Sequence, residues 1–119
     1  MDLDDALARC LALPGTVETY PFGDGVAVIK VAGRMFALLP LDAAAPSVSL
    51  KCDPDLATAL RGRYPAVTPG YHLNKRHWNS VALDVTVPDD EVAEWIEHSW
   101  ELVVAKLPRA ERDRLEAAR

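Results

Sequence analysis

Val92, Ile96, Trp100, Val103 and Leu107 recur every three or four residues, so a helix over 89–107 carries one unbroken apolar stripe, with Trp95 and Leu102 flanking it. Such a stripe has to be buried against a broad apolar surface. Upstream, 26–31 and 34–39 are short runs of β-branched and bulky apolar residues parted by Ala32 and Gly33, which predicts an antiparallel hairpin. Segment 47–52 then alternates: Val48, Leu50 and Cys52 face one way, Ser47, Ser49 and Lys51 the other. These three strands make a sheet with one face for the helix and one wet face.

The other segments fit around that pair of layers. Leu3, Leu7, Cys10 and Leu11 have helical spacing, Asp2 can cap them, and Pro14 and Gly15 end them. Pro21, Gly23 and Gly25 mark 18–25 as a loop. Asp53 followed by Pro54 starts a short helix with Leu56, Ala59 and Leu60 as its stripe, ending before Pro65. Val81, Leu83 and Val85 alternate with Ala82 and Asp84 as a further half-buried strand. Acid at 89–91 suits the start of the long helix, and Pro108 opens a last, charged one. The order is helix, three antiparallel strands, helix, two strands, long helix and a short terminal helix. That order predicts an α+β fold with helices layered on one side of the sheet.

A chain of 119 residues, half of them apolar, is read as one domain over 1–119. No run is long and apolar enough for a membrane span, and the acidic start MDLDDALARC is unlike a signal peptide, so a cytoplasmic location is expected. Cys10 and Cys52 are too few for a disulfide scaffold and fall on apolar faces, as reduced buried thiols do.

One stretch stands apart. In residues 71–81, YHLNKRHWNSV, the first eight positions gather two histidines, a lysine, an arginine, an asparagine and a tryptophan without a carboxylate. From Leu56 through Leu83 there is no Asp or Glu, while Arg61, Arg63, Lys75 and Arg76 are cationic. With a net charge of −5 on the whole chain, the excess acid lies elsewhere, and the surface should be dipolar. The stretch lies between two extended segments, near a hairpin tip.

HLNKRHWNSV, the preceding VSLKCDP with its short helix, and LPG near position 14 resemble the MmcQ/YjbR family of small bacterial proteins, over almost the whole chain. The resemblance implies an α+β domain similar to type III secretion chaperones and, more loosely, to frataxin-like proteins. It also implies DNA binding through two hairpin wings. The positions that match are Ser49, Leu50 and Lys51, then His72, Leu73, Asn74, Lys75, His77 and Trp78.

The expected function is therefore weak, largely non-specific DNA binding by His72, Asn74, Lys75, Arg76 and His77, joined by Arg34 at the other hairpin. Lys75 and Arg76 would meet phosphates, and Asn74 and His77 bases or sugars. Each residue also has a structural reading: Trp78 can fill a core, Asn74 can take a left-handed turn conformation, and His72 and Asn79 can satisfy backbone groups. The alternative function is a protein-interaction or chaperone-like module, contacting a partner or second copy through an apolar helix face widened by Trp95 and Leu102. His72 and His77 sit on opposite faces of a regular strand with no third ligand nearby, so neither metal, cofactor nor catalysis is expected.

Overall fold

The computed structural model describes residues 1–70 and 72–119; Tyr71, first residue of the unusual stretch, lies outside the described residues. The helices are α1 (Leu3–Leu11), α2 (Pro54–Arg63), α3 (Asp89–Val104) and α4 (Arg109–Ala117). The strands are β1 (Thr16–Thr19), β2 (Val26–Val31), β3 (Arg34–Pro40), β4 (Ser47–Lys51), β5 (Val67–Pro69) and β6 (Trp78–Ala82). They form one antiparallel sheet in the order β1-β2-β3-β4-β6-β5. The α+β class and the helix order agree with the sequence pattern.

Two strands differ from expectation. The punctuation of 18–25 predicts a loop, yet Glu18 and Thr19 end a strand, Thr16–Thr19, that pairs with β2 at the sheet edge. Its one large apolar residue, Val17, is exposed, so the strand carries no apolar alternation. β6 begins at Trp78 and ends at Ala82, three residues ahead of the predicted 81–85. Beyond it, the Asp84 carboxylate accepts the Thr86 N–H at 3.1 Å and its hydroxyl at 2.6 Å, and this turn takes the chain out of the sheet.

α1 and α3 lie on one face. Asp2 and Asp5 form a reciprocal cap that starts α1, and Ala6 and Cys10 form its buried side. α3 buries Val92, Ile96, Trp100 and Val103 against β3 and β4. Trp95 packs on the core and meets Tyr64 edge-on at 5.5 Å, within the fold. α2 buries Ala57 and Leu60, whereas Leu56 and Ala59 of the predicted stripe point outward.

The sheet is bent by a β-bulge. Ile29 pairs with Ala37 and Lys30 with Met35, so Phe36 is the extra residue of β3. Phe36 and Ala37 are both fully buried in the helix-side core, as a regular alternation would forbid.

On the opposite face Ser47 and Ser49 of β4 alternate with the core residues Val48 and Leu50, as read from the sequence. That face is not simply wet. Ser49 is 4% exposed and its hydroxyl bonds that of Ser80 at 2.8 Å, on the floor of a trough.

Candidate nucleic-acid interface

The sheet register decides where the two hairpins point. Val31 pairs with Arg34 across the first hairpin, and Lys51 at the end of β4 pairs with Trp78 at the start of β6. Because β3, β4 and β6 run antiparallel to their neighbours, the start of β3, the end of β4 and the start of β6 share one end of the sheet. Both hairpin tips project from that end. β3 and β6 are separated only by β4, about 10 Å at ordinary strand spacing.

Burial first, and then the like charges of Lys106 and Arg34, hold the Lys51 ammonium below the usual lysine value. Arg34 of β3 and Lys106 of the α3–α4 linker are thus each close enough to repel Lys51 of β4. Among the described residues, Arg34, Lys51, Arg76 and Lys106 form no ion pair with a carboxylate. Lys106 carried no signal in the sequence, being a lone lysine between two helices 55 residues from Lys51.

The turn between β5 and β6 is built from inside. Arg61 reaches across from α2: its Nε donates to Asn79 Oδ1 at 2.7 Å, and its Nη2 donates to the carbonyls of Trp78, at 3.2 Å, and Lys75. Asn79 in turn donates to the Ala57 carbonyl at 3.4 Å. Arg61, counted in the sequence as part of a cationic surface, is therefore a strut. Arg63 lies 3.9 Å from Glu91, so it too has a carboxylate neighbour.

The singled-out residues separate. Asn74 does not take the left-handed conformation; its carboxamide oxygen accepts the N–H groups of Arg76 at 2.9 Å and His77 at 3.3 Å, a side-chain-closed turn. The left-handed residue is His72, at φ 59°. Lys75 donates its ammonium to the Gly70 carbonyl at 3.1 Å, while Arg76 is exposed. His77 is half-buried, and its carbonyl accepts the Cys52 N–H at 2.7 Å. Trp78, 8% exposed, lies under the turn: a Cβ added at Gly70 would come within 2.7 Å of Trp78 Cβ and 3.3 Å of Leu73 Cβ. His72 and Leu73 line the trough. Of the expected contact residues, Arg34, Asn74, Lys75, Arg76 and His77 stand at the hairpin end and His72 turns towards the trough.

A six-stranded antiparallel sheet with helices on one face and two hairpins at one end defines the structural class. A family model described as YjbR matches residues 11–102. The chain belongs to the YjbR family. The uncharacterized protein YjbR of Escherichia coli K12 is 35% identical over 94% of this chain and 95% of its own. The uncharacterized protein YbdF of Escherichia coli O157:H7 is 34% identical over 94% and 92%. Among solved structures, Deinococcus radiodurans protein DR2400, with family-model domain DUF419, matches at TM-score 0.89 and 40% identity, over 97% of this chain and 88% of that one. A Pseudomonas syringae protein solved by crystallography matches at TM-score 0.64 and 29% identity, over 73% and 86%.

Proposed function

We propose that this chain binds DNA through the end of the sheet that carries both hairpin tips. Arg34 and Arg76 meet phosphates from the two tips, Lys51 and Lys106 add charge between them, and Asn74, Lys75 and His77 fix the shape of the second tip. The observation that carries this reading is the gathering of cations without carboxylate partners at one end of an otherwise acidic chain.

With only a few phosphate contacts, made from two hairpin tips, a strand end and a linker, the complex is weak and its sequence preference slight. Four contacts give a slope of about −4 in log K against log salt. Anisotropy titrations of a labelled duplex at several salt concentrations test it. Arg34→Ala/Arg76→Ala should weaken binding uniformly across sequences and reduce the slope by about 2. Equal affinity in the double variant, or no binding by the wild type at low salt, would sink the proposal.

A further inference from the structure

The end of the sheet opposite the hairpin tips is their chemical counterpart. Pairing of Thr19 with Val28, Val26 with Pro40 and Ser47 with Ala82 puts the end of β1, the start of β2, the end of β3, the start of β4 and the end of β6 together there. Three loops therefore meet, 20–25, 41–46 and 83–88. The Leu41 N–H donates to the Gly25 carbonyl at 2.7 Å and the Leu83 N–H to the Pro46 carbonyl at 2.9 Å, so each loop is tied to its neighbour. Asp42 lies against the first loop, where a Cβ added at Gly25 would come within 2.7 Å of its carboxylate.

These loops hold Asp24, Asp42 and Asp84 and no lysine or arginine. All three carboxylates are exposed, and none belongs to an ion pair among the described residues. The same loops carry Tyr20, Phe22, Leu41 and Val85, four of the seven large apolar side chains exposed among the described residues. Phe22 is the aromatic ring most open to solvent, at 69%. A carboxylate beside an exposed ring is what a guanidinium recognises: it donates charge-assisted hydrogen bonds to the first and stacks on the face of the second.

This chain carries the complement itself. Arg34 and Arg76, one on each hairpin tip at the other end of the strands, are exposed and without carboxylate partners among the described residues. β3 alone, Arg34–Pro40, is about 20 Å long, so neither tip reaches the acidic end of its own molecule. The tips of a second copy do.

We infer that copies of this chain associate head to tail, with Arg34 and Arg76 of one seated on Asp24, Asp42 and the Tyr20 and Phe22 rings of the next. The contact is heterologous: each pair leaves one free set of tips and one free acidic end, so it propagates. Exposed ion pairs are individually weak and screened by salt, which puts association at low ionic strength, with a dissociation constant of about 0.1–1 mM. A second copy and DNA are then alternative occupants of the same cations, and the contact between copies stands whether or not DNA binds.

Sedimentation velocity of the full chain without DNA tests it, from about 20 μM to 1 mM protein and at about 20 mM and 500 mM salt. The sedimentation coefficient should rise with concentration at low salt and return to the monomer value at high salt. Amide shifts over the same range should fall at Phe22, Asp24 and Asp42 and at Arg34 and Arg76, leaving Val17 on the β1 edge unmoved. Phe22→Ala should weaken the contact about threefold.

Charge reversal separates this contact from any other. Asp24→Lys/Asp42→Lys leaves cations at both ends, and Arg34→Glu/Arg76→Glu leaves acid at both, so each variant alone should be monomeric. Mixed in equal amounts they should associate again, at least about tenfold more tightly than either does alone. Should a variant fail to fold, the salt dependence and shift map of the wild type decide. A monomer at the highest concentration in low salt, association that survives either reversal, a mixture no tighter than its parts, or shifts confined to the β1 edge would each overturn the inference.

Discussion

The backbone N–H of Lys51 is bonded, at 2.9 Å, to the hydroxyl of Ser99, a fully buried side chain of α3. The same hydroxyl donates to the Phe36 carbonyl at 2.5 Å. Phe36 and Lys51 are the pair that would follow Ala37 and Leu50 had the β3–β4 ladder continued. A helix side chain therefore replaces one rung of the sheet, next to the bulge and under the cationic end. Ser99→Ala leaves a buried donor and a buried acceptor unpaired and should destabilise the chain by about 2–3 kcal/mol. Urea unfolding measures it; a loss under 0.5 kcal/mol, the scale of an ordinary surface change, would mean that the strands close up and pair directly.

Arg61 is predicted to matter for the shape of the second hairpin more than for charge. Its side chain serves the carbonyls of Lys75 and Trp78 and the carboxamide of Asn79. Arg61→Ala should lower stability by about 2 kcal/mol and speed amide exchange at His77 and Asn79 more than at residues of α1. Exchange that rises equally throughout would show that the strut has no local role.

The thiols set an alkaline limit. Burial pushes Cys10 up to about 12, and burial followed by the Asp53 charge pushes Cys52 up to about 11, from an ordinary 9.0. The folded chain keeps both protons where the unfolded chain releases them, so unfolding releases protons above pH 9 and stability falls as pH rises from there towards 12. Urea midpoints should drop between about pH 8 and pH 10, and a thiol reagent at pH 8 should react only after unfolding. Rapid modification of either cysteine in the native chain contradicts this.

His98 Nε2 is buried without a hydrogen-bond partner, beside a void of about 10 Å³ lined by Leu50, Cys52, Leu60 and Trp95 among others. Removing an unpaired buried polar atom is favourable when the replacement fills the same space. His98→Phe is expected to raise stability by about 1 kcal/mol in a calorimetric melt. A lower melting temperature would indicate that the imidazole contributes something its geometry does not reveal.

α1 and α3 were legible from a periodic stripe, α2 from the cap and proline at Asp53 and Pro54 although Leu56 and Ala59 face outward, and α4 from Pro108. β1 was not, because an edge strand with Val17 as its one bulky apolar residue has no alternation to read. Which polar residues of the stretch face solvent was equally hidden. The engagement of Lys75 depends on the Gly70 carbonyl, and that of Arg61 on strands 14 to 18 residues away, so composition suggested a looser cluster of cations than the fold builds. The trough draws its walls from β2, β3 and β5 and the loops beside them, and its centre from serines that alternation alone assigns to water.

Since the two tips belong to strands flanking β4, the gap between them is fixed by the repeat of the peptide ladder, as graduations are fixed on a caliper. Substitutions in either turn can alter what the jaws grip. Their opening changes only if a strand is added or lost.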